Sequence, residues 1–227
     1  MNDSTTLNLE KMKKIVYLFL ALLIPICSFA QEEAVDPKAK AILGKAVDAF
    51  DSKKGISADF LIEIKDSRNG KEETIPGILL LKGDKFKLSL RNVDTYFDGK
   101  TQSVFMSNEK EVTISIPEKE DLKDINPILL MKSYQTDYKM RYLGSKKEAG
   151  LMVEEVELYP NDLKSQYSII RLKISKDKLQ LKSILLKGKS GIDTKLSIQN
   201  LEHKELYDTM FVFDEKKFPD VEIIDLR

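Results

Sequence analysis

Ile56-Ser57-Ala58-Asp59-Phe60-Leu61-Ile62-Glu63-Ile64-Lys65 is the stretch that decides the fold. Ile56, Ala58, Phe60, Ile62 and Ile64 fall on one parity; Ser57, Asp59, Glu63 and Lys65 fall on the other. A period of two is the mark of a half-buried β-strand. The stretch just before it has a different period. Asp36-Pro37 supplies an N-cap and a proline at the first helical position. Ala39, Ile42, Leu43, Ala46, Val47 and Phe50 then recur at three- and four-residue spacing, as on one face of a helix. Gly55 separates the two regimes.

Downstream the strand pattern persists. Asn69-Gly70 marks a turn before a strand from Ile75 to Lys82, and Gly83-Asp84 turns into Phe86, Leu88 and Leu90. Arg91-Asn92 leads to Val93–Phe97, and Asp98-Gly99 is a hairpin signal before Ser103–Met106 and Val112–Ile116. Asn126-Pro127 then opens a short apolar helix, Ile128 to Tyr134, interrupting the strands. Strands resume at Tyr138–Tyr142, Met152–Tyr159, Tyr167–Ile174, Leu179–Lys187 and Thr194–Leu201; a last apolar stretch, Met210–Phe213, precedes Val221–Ile224. The expectation is a mainly β fold with a helical cap, holding about ten or eleven strands.

The N-terminus reads as an export signal. Lys13 and Lys14 precede an apolar run, Ile15 to Ile26, and Ser28 and Ala30 occupy the small-residue positions of a cleavage site. The run is shorter than the roughly 20 residues that span a bilayer. Met12 is the natural initiator, so residues 1–30 form an upstream segment plus a cleaved signal, and 31–227 one exported domain. Cys27, the only cysteine, leaves with the signal; lipidation there would want a small residue in place of Ile26. The domain then has no disulfide, thiolate or thiolate-held metal. Its charge is balanced, 34 basic against 35 acidic side chains once the first thirty residues are gone. That excludes the basic face nucleic acid requires.

Catalytic chemistry finds little purchase. His203 is the only histidine and sits among Glu202, Lys204 and Glu205, where solvation explains it. Glu154, Glu155 and Glu157 form a carboxylate cluster, but in a strand Glu155 and Glu157 share one face and Glu154 takes the other. No phosphate-cradling loop or nucleophile elbow occurs. No cofactor and no metal is expected, and an enzyme is the weaker reading.

Several short motifs in order resemble the periplasmic lipoprotein carrier family, LolA. They are Ile56-Ser57-Ala58-Asp59-Phe60, Gly77-Ile78-Leu79-Leu80-Leu81-Lys82 with Phe86, Phe97-Asp98-Gly99-Lys100-Thr101, and Asn126-Pro127; Phe211-Val212-Phe213-Asp214 through Phe218-Pro219 and Val221 is similar to the family's close. The resemblance implies an unclosed antiparallel β-barrel capped by helices, with a hydrophobic cavity for lipoprotein acyl chains. It implies a monomer in the periplasm that takes lipoproteins from an inner-membrane exporter complex to an outer-membrane acceptor. Alternation then places Phe60, Ile62, Ile64, Leu79, Leu81, Phe86, Leu88 and Leu90 in the cavity, with Ile128, Leu129 and Met131 on a lid. A lipid-sensing envelope regulator, or a lipid-anchored acceptor of the same fold, is the alternative. Better-known members carry an Arg and a Pro in the turn before the strand matching Phe86–Leu90, and Trp in these strands. Here the turn is Lys82-Gly83-Asp84-Lys85, and there is no Trp.

Overall fold

The structure is a computed structural model that describes residues 36–50, 55–118, 122 and 133–227. The helical period is realised as Pro37–Phe50. Asp36 caps it: Oδ1 accepts the backbone N–H groups of Lys38 (2.8 Å) and Ala39 (3.2 Å). Asp36 also reaches the sheet, its N–H donating to the Met140 carbonyl and its Oδ2 accepting from Tyr142 N–H at 2.9 Å.

Twelve strands among the described residues form one sheet. They are β1 Ile56–Asp66, β2 Lys71–Lys82, β3 Lys85–Leu90, β4 Val93–Phe97, β5 Gln102–Met106 and β6 Glu111–Ser115, followed by β7 Tyr138–Glu148, β8 Leu151–Pro160, β9 Tyr167–Ser175, β10 Leu181–Gly188, β11 Ile192–His203 and β12 Glu222–Asp225. Their order is β12-β6-β5-β4-β3-β2-β1-β11-β10-β9-β8-β7. The sheet is thus two antiparallel meanders joined where β1 pairs β11, and its two ends, β12 and β7, are not paired with each other. This is the expected unclosed, mainly antiparallel sheet with an N-terminal helix, with twelve strands rather than ten or eleven.

One boundary differs from the sequence reading, and two details go beyond it. Leu179 has a left-handed φ of 54° and belongs to the turn before β10. The apolar stretch Met210–Phe213 has its first half in a 3₁₀ turn, Asp208–Phe211. The last strand pairs β6 in parallel, Ile223 beside Val112, because the chain crosses the outside of the sheet before rejoining its edge. The short helix that is described runs Tyr134–Asp137; Ile128, Leu129 and Met131 lie outside the described residues, as do Cys27 and Ala30. Among the described residues no helix is long and apolar enough to cross a membrane.

Two apolar clusters lie on opposite faces. The larger joins Ala39, Leu43 and Ala46 of the helix to Ile56, Leu81, Phe86, Phe97, Leu158, Leu172 and Leu181 of the sheet. The smaller joins Tyr96, Phe105, Val112 and Ile114 to Phe213, Phe218 and Val221 of the C-terminal segment.

Candidate functional site

Directly paired residues of neighbouring strands point to the same face, so the register lays out the helix-bearing face row by row. At one end Phe86 stands beside Leu81, and Leu81 beside Ile56. The next row is Leu88, Leu79 and Ala58; then Leu90, Gly77, Phe60 and Ile198; then Ile75, Ile62, Leu196 and Ile184. At the far end Glu73, Ile64, Thr194 and Leu186 stand in line.

Burial falls along these rows. Ile56 is 1% exposed, Leu81 1% and Phe86 0%, and Phe60 is still buried at 4%. Half-buried positions begin at Leu88 and continue through Leu90 and Ile198 beside Phe60 to Ile62, Ile75, Leu196 and Ile64 beyond it. On β7–β9 the same face stays closed, because Met140, Leu158 and Ile170 are buried in the cluster that holds the helix. One end and one side of the face are therefore solid core, and the corner built by β1–β3 and β11 is an apolar floor only partly covered.

Gly77 is what makes that floor continuous. A Cβ there would overlap Cζ of Phe60 and fall 2.6 Å from Cδ2 of Leu90. The missing side chain lets Phe60 of β1 and Leu90 of β3 meet across β2.

Seven of the eight residues placed in the cavity by alternation, Phe60, Ile62, Leu79, Leu81, Phe86, Leu88 and Leu90, share one cluster on this face. They are not equivalent. Leu81 and Phe86 are packed against their neighbours, whereas Ile62, Leu88 and Leu90 remain half-buried. Ile64 lies at the margin, where Arg91 pairs with Glu73 and Lys65 with Glu72 at 2.5 Å. A recess of about 280 Å³ borders Ile64, but its walls are mostly charged, with Glu63, Lys65, Glu72, Asp193 and Lys195 among them.

The carboxylates divide between faces as alternation predicts. Glu155 and Glu157 share one face of β8, in an ion-pair ladder with Lys146 (2.7 Å) and Arg171 (Nε, 2.9 Å). Glu154, on the other face, accepts from Ser145 Oγ at 2.6 Å and from the Tyr142 hydroxyl. Burial would raise the Glu154 carboxyl, but Ser145, Tyr142 and nearby Lys176 outweigh it and hold it below its ordinary value. Each of these carboxylates is matched by donors or cations, as structural groups are. His203 ends β11, exposed. Among the described residues no three metal-ligating side chains converge.

The bonds from Asp36 to Met140 and Tyr142 of β7 and the aromatic seal on the opposite face were missed by the sequence reading. The seal had a visible signal: Tyr96 and Phe97 are adjacent and both large, so one must face away from the main core.

The sequence profile of the family described as "Outer membrane lipoprotein carrier protein LolA" matches residues 51–214. No curated protein matches the chain. Among solved structures, an uncharacterized conserved protein from Thermus thermophilus is similar at 10% identity and a TM-score of 0.58, over 83% of this chain and 99% of that one. A LolA superfamily protein from Nitrosomonas europaea is similar at 15% identity and a TM-score of 0.43, over 78% and 98%. The Pseudomonas aeruginosa MucA/MucB complex contains a chain similar at 16% identity and a TM-score of 0.47, over 79% and 62%.

Proposed function

The chain belongs to the LolA family, and from that premise we propose that it is an exported, periplasmic carrier that holds the acyl chains of lipoproteins on the half-covered corner of its helix-bearing face. It takes them from an inner-membrane exporter complex toward an outer-membrane acceptor. The observation that carries this reading is the burial gradient: one apolar face passes from solid core at Phe86 to half-buried floor at Ile62, Leu88 and Leu90. A face that existed only to pack against its helix would be closed throughout.

Energetics support a carrier of this shape. Each buried CH₂ contributes about 0.8 kcal/mol, so a fully engulfed long acyl chain would gain on the order of ten kcal/mol and would scarcely unload. A floor that covers one side of the chain captures only part of that gain. Binding stays reversible without a chemical step.

Ile62→Glu or Leu88→Glu should abolish co-purification of lipoproteins while leaving a folded protein, since both positions already tolerate partial exposure. Unchanged cargo in both variants would remove this corner from the binding site. Lipid mass spectrometry of protein taken from the native periplasm identifies the occupant, and Gln31 as the mature N-terminus would establish the export step. A diacylated Cys27 would instead make the chain a lipid-anchored acceptor.

A further inference from the structure

Leu163 is 89% exposed, the most exposed large apolar side chain among the described residues. It stands at the tip of the turn between β8 and β9, and this turn is not slack. Asn161 N–H donates to the Asp137 carbonyl at 2.9 Å, and its Nδ2 to the Thr136 carbonyl at 3.1 Å. Asp162 Oδ1 accepts from Lys164 N–H (2.8 Å), and the Asp162 carbonyl from Ser165 N–H (3.1 Å). Lys189, from the turn between β10 and β11, donates its N–H to the Gln166 carbonyl and its Nζ to the Leu163 carbonyl at 2.7 Å. A loosely held turn would fold an apolar tip back onto the protein; this one is bonded on both sides so that Leu163 points into solvent.

The place of the turn matters as much as its rigidity. The register Leu158–Ile170–Leu186–Thr194–Ile64 puts it at the same end of the strands as Ile64, on the closed side of the face and across β9–β11 from the half-buried floor. The neighbouring turns are tied into the same rim: Ser67 donates its N–H and Oγ to the Gly191 carbonyl, at 3.0 and 2.8 Å. Lys164 and Lys189 are exposed beside Leu163; of the acids near the turn, Asp162 accepts from Lys164 N–H and Asp137 from the Thr136 hydroxyl.

We propose that this rim is a docking surface for a phospholipid bilayer, with Leu163 entering the acyl boundary and Lys164 and Lys189 lying level with lipid phosphates. Docked in this way, the open end of the apolar floor faces the lipid into or out of which an acyl chain moves. The inference rests on the carrier reading for its purpose, though not for its geometry.

Flotation with phosphatidylethanolamine–phosphatidylglycerol vesicles tests it, using the mature chain. The wild type should float, and Leu163→Asp should lower partitioning about tenfold or more, the loss of one buried leucine side chain. Lys164→Glu should weaken binding to these vesicles more than to pure phosphatidylcholine. A polarity-sensitive label on Leu163→Cys should shift to the blue only when vesicles are present. Failure of the wild type to float, equal flotation of Leu163→Asp, or an unshifted label would each overturn the proposal. Loading of a fluorescent fatty acid in vesicle-free solution separates the two readings. Leu163→Asp should load like the wild type, and a protein that floats but loads no lipid keeps the membrane rim and loses the carrier.

Discussion

On the outer face of β4–β6 the rings of Phe105 and Phe218 lie 4.4 Å apart, and Phe213 meets Tyr96 at 5.9 Å and Phe218 at 5.3 Å. On the helix-bearing face of β1–β3 the corresponding positions are aliphatic, Ile62, Leu88 and Leu90, and only half-buried. Both patches arise from the same alternation along neighbouring strands. The difference is that the first is completed by the protein's own C-terminal segment, while the second is left partly open. An aromatic patch sealed by its own chain contributes stability; an aliphatic floor left partly open gives up some of it.

If that contrast is real, Phe86→Ala, at the closed end, should have the largest effect, destabilising by about 3–5 kcal/mol in chemical denaturation. Phe213→Ala should approach it, because the sealed patch behaves as core; a loss below about 1 kcal/mol would mean the C-terminal segment is merely resting on the sheet. Asp36→Ala, which removes the helix cap and one bond to β7, should follow at about 1–2 kcal/mol. Leu90→Ala, at the open corner, should cost distinctly less than Phe86→Ala, and equal losses would erase the distinction between the two ends. The smallest effect should come from acid. The carboxyls of Glu154 and Glu157 are held below their ordinary values, so their stabilisation is present above the usual carboxylate range and fades as pH falls through their depressed values. Glu154→Gln should therefore show a smaller drop in unfolding midpoint between neutral pH and about pH 3 than the wild type does.

Much of this was readable beforehand. Ile56 to Ile64 announced both strand and face, and Asp98-Gly99 announced its hairpin, in which Asp98 Oδ1 accepts from Lys100 and Thr101 N–H at 2.8 Å. These are local features, fixed by period and turn chemistry. What could not be read was which apolar residues stay half-buried, because Phe86 and Leu88 look alike on one strand and differ only in what the rest of the chain brings against them. The parallel β12 was hidden for the same reason: its partner β6 lies more than a hundred residues earlier. Asp36 advertised its cap but not its second bond, since nothing local points to Tyr142.

That second bond bears on how the protein behaves when concentrated. A strand at the margin of a sheet offers unsatisfied N–H and C=O groups to any other extended chain, and stacking of copies begins there. Asp36 occupies the Met140 carbonyl and the Tyr142 N–H on the margin of β7. Just beyond it, Gly144, with φ of 125°, breaks the register, and Lys146 and Lys147 add charge. Trimming the N-terminus past Asp36 would therefore expose a templating edge, and the first symptom would be aggregation rather than loss of binding.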